Sequence, residues 1–265
     1  VSTFRSTAEG SVGNSFGSID EDVMRRDFSL NALYYDPSKE YVIDYVNGVK
    51  DIKKGIIRPV IPLDKIFVED PVRMLRAVKY SATTGCRLPL FLKRKIRKSA
   101  YLLSPISPSR LTEDLPKIIN SGHAFEIVSK TLETDLYMYL QPTATAIMYS
   151  NREFEKNYLK NLKKLDEFTV ANPDARLGEK LYFMIFDFIS SLTDWNKEVE
   201  SHSAAGEIYV KTWSECRSFV LPMNPQRTEL EFAIRKVLKD LGVQMYTPKK
   251  SKKKPVSKKN SKKQS

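Results

Sequence analysis

Cysteine and histidine are scarce in this 265-residue chain, with two of each. Cys86 and Cys216 lie far apart and show no metal-ligand spacing, so neither a disulfide framework nor a zinc ribbon is encoded. Long apolar runs are missing as well. The longest, Leu181–Phe186, is too short to cross a bilayer. No start methionine, charged leader or signal-type segment opens the chain, which gives secretion no support. These absences point to a reduced, cytoplasmic setting with no membrane partner. The hydrophobic share of 41% suits a globular protein, and the length allows one large core or two smaller ones.

Acidic residues are absent from one stretch in particular. Residues 248–265 hold nine lysines and no Asp or Glu, so the formal net charge of +12 leaves only about +3 for the rest. Such a tail cannot bury a core, and disorder is expected. Lys249, Lys250, Lys252, Lys253 and Lys254 are candidates for sequence-blind contact with phosphates. A merely solubilising terminus is the plainer reading.

The coarse pattern is helical from Asp70 onward. Before it, Val1–Arg5 alternates like a strand end and Ser6–Ser18 is a Gly/Ser-rich loop. Asp20 to Tyr35 predicts a helix with Phe28, Ala32 and Tyr35 on one face. Tyr41–Val46 predicts a strand, Asn47-Gly48 a turn and Ile56–Arg58 a short strand ended by Pro59. A helix from Pro71 should stop near Gly85, with Met74, Leu75, Val78 and Ala82 inward. Further amphipathic stretches are 91–103, 108–120, 125–140, 152–168, 177–192 and 227–241. No internal repeat or long heptad pattern occurs.

Two charged motifs stand out. Arg25-Arg26-Asp27-Phe28-Ser29-Leu30-Asn31-Ala32-Leu33 is followed roughly forty residues later by Glu69-Asp70-Pro71-Val72-Arg73-Met74-Leu75-Arg76-Ala77-Val78-Lys79. On the second helix Asp70, Arg73 and Arg76 lie opposite the apolar arc, as neighbours three apart. Two guanidiniums there can present flat donor forks to a base edge or a triphosphate, and an aspartate beside them can orient one fork. In the first motif, Asp27 and Asn31 would share a polar helix face beside Arg25 and Arg26. Either motif alone reads as an ordinary charged helix surface. Their order and separation together read as two walls of a nucleotide pocket.

These residues resemble the class II nucleotidyltransferases, the family of bacterial poly(A) polymerases and CCA-adding tRNA nucleotidyltransferases. The resemblance rests on Phe16–Asp22, Arg25–Leu33, Asp44–Asp51 and Glu69–Lys79, with Pro108–Leu115 similar to the next helical motif. It covers about residues 1–120 strongly and the region around Glu215–Ser218 more weakly. The implied fold class is mainly α: a remnant of an α/β nucleotidyltransferase head (1–62), a helical neck (63–120), a helical body (121–247) and the basic tail.

The resemblance implies that Arg26, Asp70, Arg73, Arg76 and Lys79 bind nucleotide and that Asp27 is the acidic active-site position, with an organising role. Lys79 stands where an arginine is usual, and Asn47 replaces the first glycine of a usual pair. It also implies Mg²⁺ held by an Asp-x-Asp pair on a strand, which should precede Val1 with a Gly-Gly…Arg-Asp motif. Asp20-Glu21-Asp22 has the letters but lies at a helix start after a loop, so no metal ligand is assigned in this chain.

The implied activity is template-independent addition of AMP from ATP to the 3′ ends of mRNA or tRNA, as in poly(A) polymerase, with this chain inactive alone. Tyr34-Tyr35-Asp36 and the lysine tail lean to that branch. With only His123 and His202, a metal-dependent phosphohydrolase domain of the kind some CCA-adding enzymes carry is not expected. CCA addition is the alternative, and a non-catalytic RNA-binding protein or a helical interaction module are the other readings. Neither of those last two needs Arg26, Asp70, Arg73 and Arg76 together.

Overall fold

A capping box starts the first helix. In the computed structural model, which describes residue 4, residues 17–195 and residues 205–243, Ser18 Oγ accepts from the Glu21 N–H and Glu21 Oε2 accepts from the Ser18 N–H. The helix α1 (Ile19–Met24) then ends at Arg25 after six residues, well short of the expected Tyr35. A tertiary backbone ladder wins over local periodicity here. Phe28 bridges Pro59, the Ser29 N–H donates to Arg58 O at 2.9 Å and the Val60 N–H to Asp27 O at 3.1 Å. Asp27 therefore sits in a non-helical segment, and the expected i,i+4 helix face shared with Asn31 does not exist. After a 3-10 turn at Ser29–Asn31, β1 (Leu33–Asp36) pairs antiparallel with β2 (Tyr41–Asp44), Tyr35 opposite Val42. Tyr35, expected on a buried arc, is 62% exposed.

Asp36 makes the hairpin turn by accepting from the Ser38 and Lys39 N–H groups, and Glu40 closes it with φ 51°. Ile56–Arg58 does not form a strand; Ile56 makes only an isolated bridge to Arg87. Asn47 adopts the left-handed φ 60°, ψ 33° that a turn residue tolerates. It leads into α2 (Gly48–Lys53), whose first N–H groups are capped from a distance. Asp44 Oδ1 accepts from Gly48 and Oδ2 from Val49.

Burial pushes the Asp44 carboxyl up, but these backbone N–H groups outweigh it and hold it below the ordinary carboxylate range. A depressed pKa gives stability that is present above the unfolded value of about 3.9 and lost as pH falls through the folded value. Asp44→Ala should therefore lower unfolding free energy by about 1 kcal/mol at pH 7, and the difference should shrink on acidification. Urea unfolding of both proteins at pH 7 and pH 3 checks this; a gap independent of pH would contradict it.

A short α3 (Ile66–Glu69) precedes α4 (Arg73–Thr84), which stops at Gly85 with φ 71°, as the sequence implies. Its buried face includes Met74, Leu75, Val78 and Ala82. Next come α5 (Leu90–Ser99) and a 3-10 turn at Ala100–Leu103. The expected 108–120 helix is two, α6 (Pro108–Thr112) and α7 (Asp114–Ile119). Pro116 explains the break, because it has no N–H for the Thr112 carbonyl and its ring crowds that oxygen. Residues 125–140 likewise divide into α8 (Ala124–Glu133) and α9 (Tyr137–Leu140) around Asp135, whose φ is 58°.

The body continues with α10 (Pro142–Ser150), α11 (Arg152–Ala171), α12 (Leu177–Ser191), α13 (Ala205–Phe219) and α14 (Arg227–Asp240). Helices α10 and α13 carry no clear amphipathic stripe in sequence. The fold is thus mainly α, with one two-stranded sheet among the described residues. The core runs unbroken from Phe28 to Val243. Inside it Tyr137 and Tyr158 share a hydroxyl–hydroxyl hydrogen bond of 2.8 Å, and Phe188 stacks on Phe219 at 4.1 Å. Both cysteines are buried and free. Among the described residues no helix is long and apolar enough to cross a membrane.

Candidate nucleotide site

The two charged motifs meet through Asp27. Its 8%-exposed carboxylate lies between two guanidiniums from α4. Arg76 Nη1 donates to Asp27 Oδ2 at 2.8 Å, across 49 residues of sequence. Arg73 Nε lies 2.9 Å from Asp27 Oδ1, close enough for an ion pair, but its N–H is not aimed at the oxygen. That contact is Coulombic without a well-directed hydrogen bond. Arg73 is further held by Glu69 Oε2 at 2.8 Å and the Ile66 carbonyl at 3.2 Å. Phe28 meets Tyr80 edge-on, and Asn31 donates to the Tyr80 hydroxyl at 3.3 Å. The first motif is thereby clamped along the length of α4.

Asp70 ends α3 in extended backbone and turns the chain into α4, accepting from the Val72 N–H at 3.2 Å. Its carboxylate is taken by Arg110 of α6 at 2.7 Å, while Arg76 Nη2 stands 3.7 Å away. Sequence reading had Asp70 orienting its neighbouring arginines; the structure gives that position to Asp27 and places Asp70 under Arg110. Burial works against the charge on Arg76, but the hydrogen bond and charge of Asp27, with Asp70 and Tyr80, raise its pKa above the ordinary arginine value. Arg76 is 40% exposed and Arg110 51%, so both keep donors free for a ligand. Lys79 lies farther along α4, 3.9 Å from Asp114, which Lys117 approaches at 3.6 Å.

Arg26 belongs to a neighbouring cluster. It pairs with Asp22 at 2.7 Å and lies over the Tyr34 ring at 5.5 Å, while the Tyr34 hydroxyl donates to the same Asp22 oxygen at 2.6 Å. Burial, then the hydrogen bond to Asp22, pushes the Tyr34 hydroxyl up to about 12. A third network braces the loop behind Asp27. Ser29 Oγ donates to Asp51 at 2.7 Å, and Arg58 holds the same carboxylate at 2.7 Å together with the Val46 carbonyl. Sequence reading missed Arg110, although it stands in a quoted motif, and the Asp51–Arg58 brace. Only the tertiary fold brings their partners to them. The five tail lysines, Lys249 to Lys254 with Ser251 between, lie outside the described residues.

Residues 1–58 match the Poly A polymerase head domain, and residues 92–148 match the Probable RNA and SrmB-binding site of polymerase A. Poly(A) polymerase I of Escherichia coli O6:H1 is 37% identical over 193 residues, which cover 67% of this chain and 40% of that protein. The CCA-adding enzyme of Ligilactobacillus salivarius is 35% identical over 122 residues, covering 46% and 30%. A crystal structure of Bacillus stearothermophilus CCA-adding enzyme in complex with CTP superposes with a TM-score of 0.51 at 22% identity, over 90% of this chain and 63% of that one, and shows the shared fold. The chain spans about 40% of the length of the poly(A) polymerase it matches.

A helical chain with these matched head and RNA-binding segments is of the nucleotidyltransferase class. It belongs to the class II nucleotidyltransferase family, alongside bacterial poly(A) polymerase I and the CCA-adding enzymes.

Proposed function

We propose that this chain is the nucleotide-selecting and RNA-binding portion of an RNA 3′-end nucleotidyltransferase that adds AMP from ATP, a poly(A) polymerase. The Asp27–Arg73–Arg76 cluster carries the reading. It holds two guanidiniums of one helix on a single carboxylate and leaves Arg76 40% exposed, where a base edge or triphosphate would lie. Asp27 is a positioning residue in this scheme. Arg76 and Arg110 supply the ligand-facing donors, with Asp70 between them able to accept from an exocyclic amino group. Arg26 and Lys79 flank the cluster and add positive charge for phosphates.

The division into head (1–62), neck (63–120) and body (121–247) follows from this reading. ATP is the substrate and RNA 3′ ends are the acceptor. The 193-residue alignment with a poly(A) polymerase, against 122 for a CCA-adding enzyme, supports the poly(A) branch.

The described residues do not fit the Mg²⁺ that the family implies. Glu21 is spent on the capping box, Asp22 lies under Arg26 and Tyr34, and both Asp27 oxygens face guanidiniums. No described group of three or more acidic, His or Cys side chains could hold a metal ion. No step of the proposal runs through a metal. The protein's own part is to bind and orient the nucleotide.

The test is nucleotide binding by fluorescent ATP titration, paired with primer extension. Arg76→Ala should weaken ATP binding about tenfold while RNA affinity stays within twofold, and a longer enzyme that joins this segment to a metal-binding head should give an oligo(A) ladder from ATP. Three-nucleotide addition to a trimmed tRNA would move the reading to CCA synthesis, and unchanged ATP affinity in the variant would sink the site.

A further inference from the structure

Helix α5 carries five cations, Lys93, Arg94, Lys95, Arg97 and Lys98, and no acid in ten residues. Lys93 and Arg97 are turned to neighbours, pairing with Glu133 and Asp135 respectively. Arg94, Lys95 and Lys98 have no ion-pair partner among the described residues. Like charges at Arg94 and Lys98, one turn apart, weaken an isolated helix, so folding alone gives this face no reason to be basic. Its apolar side, Leu92, Ile96 and Ala100, is buried in the core. The outer side is bounded by aromatic rings: Phe91, 53% exposed, and Tyr101, 66% exposed. Those two lie about 15 Å apart along the axis at the helical rise.

Beside α5 runs an open groove of about 620 Å³ lined by Tyr149 and by Lys93, Arg97 and Arg152, whose charges are taken by Glu133, Asp135 and Glu155 in the same lining. Tyr149 is 74% exposed.

We infer that the outer face of α5, with Tyr149 across the groove, is a binding track for single-stranded RNA: Arg94, Lys95 and Lys98 hold successive phosphates, and Phe91, Tyr101 and Tyr149 stack bases. Flat rings between cations are the hardware of sequence-tolerant single-strand binding, because every base offers a π-face and every nucleotide a phosphate. An anionic membrane would be the other polyanion, but a surface-bound helix needs an apolar stripe to insert. Here that stripe is inside the protein. The matched segment 92–148 contains most of α5 and Tyr101 and ends just before Tyr149, and its description speaks of RNA without assigning residues. The inference rests on the RNA half of the proposed function and is independent of the nucleotide cluster.

Fluorescence anisotropy with a labelled 20-nucleotide oligo(A), using the full chain across a salt series, tests it. Arg94→Ala/Lys95→Ala/Lys98→Ala should lower the slope of log affinity against log salt by about 2, at roughly 0.7 per phosphate contact. Tyr101→Ala should weaken binding at least fivefold at high salt, where phosphate contacts fade and stacking remains. Arg94, Lys98 and Tyr101 are exposed and Lys95 half-buried without an ion-pair partner among the described residues, so thermal melting should not fall. A wild-type chain that binds, with both variants matching it, overturns the track alone. A wild-type chain that does not bind RNA overturns the RNA reading as well. Loss of binding to phosphatidylserine vesicles with RNA binding intact would assign the face to a membrane.

Discussion

Asp27→Ala is expected to lower unfolding free energy by about 3 kcal/mol and to abolish ATP binding, whereas Arg76→Ala should cost about 1 kcal/mol or less in stability and only weaken binding. The difference follows from exposure. Arg73 is 13% exposed and loses its Asp27 counter-charge while keeping Glu69, which leaves a largely desolvated cation with one carboxylate. Breaking the pair from the Asp27 side leaves that cation out of water with one partner, whereas removing Arg76 leaves Asp27, 8% exposed, still 2.9 Å from Arg73 Nε, so its charge stays compensated. Arg76, at 40% exposure, rehydrates when Asp27 is lost.

Asp27→Asn separates the two effects. It keeps the side-chain shape and one acceptor for Arg76 but removes the charge, so stability should recover in part while nucleotide binding stays impaired. Urea unfolding together with ATP titration on the three variants gives the comparison. Equal stability losses for Asp27→Ala and Arg76→Ala would contradict the assignment of Asp27 as the organising centre.

How much of this was legible beforehand depends on whether a residue's role is set locally. The α4 face was readable because Met74, Leu75, Val78 and Ala82 recur at helical period and Gly85 ends the run in a left-handed conformation. The segment 20–35 was not, since Phe28 is held by strand-like bridging to Pro59 and Ala32 follows a 3-10 turn, so their helical spacing is coincidence. Propensity in fact favoured the outcome at Leu33-Tyr34-Tyr35, an aromatic run that suits a strand.

At the site, the types of charged residue were evident, but charge patterning cannot say which acid meets which arginine. Asp70 stands beside Arg73 and Arg76 in sequence and was read as able to orient one of them; it keeps only a 3.7 Å approach to Arg76. The fold instead brings Asp27 from 46 and 49 positions away and gives Asp70 to Arg110. Helix α10 had neither stripe nor charge alternation to mark it, because its buried positions are Ala144, Thr145 and Met148 while the apolar Tyr149 is exposed.

Gly48 is the position where backbone geometry behind the site leaves least room, and Gly48→Ala should be the most disruptive single-methyl change in the head segment. A Cβ there would fall 2.2 Å from the Ser29 carbonyl oxygen, with Leu33 Cδ2 at 3.0 Å. The Leu33 methyl can turn aside, but the Ser29 carbonyl cannot. Ser29 is buried in the 3-10 turn, its hydroxyl bound to Asp51 and its N–H bound to Arg58, so its carbonyl is fixed from both ends. The added methyl must therefore push α2 away from the turn, at a cost of roughly 3 kcal/mol, the upper range for overpacking.

The displacement has a route to the nucleotide cluster. Ser29 is two residues from Asp27, and its N–H shares one short backbone ladder with the Asp27 carbonyl. A shift of Ser29 moves the Asp27 carboxylate relative to the two arginines, which are anchored separately on α4. Gly48→Ala should thus weaken ATP binding although the residue touches no ligand, while oligo(A) affinity, carried by elements beyond residue 90, stays near wild type. Measuring both affinities well below the variant's lowered melting temperature decides it. Equal losses in ATP and RNA binding would mean global unfolding, and an intact ATP affinity would mean that α2 yields without moving Asp27.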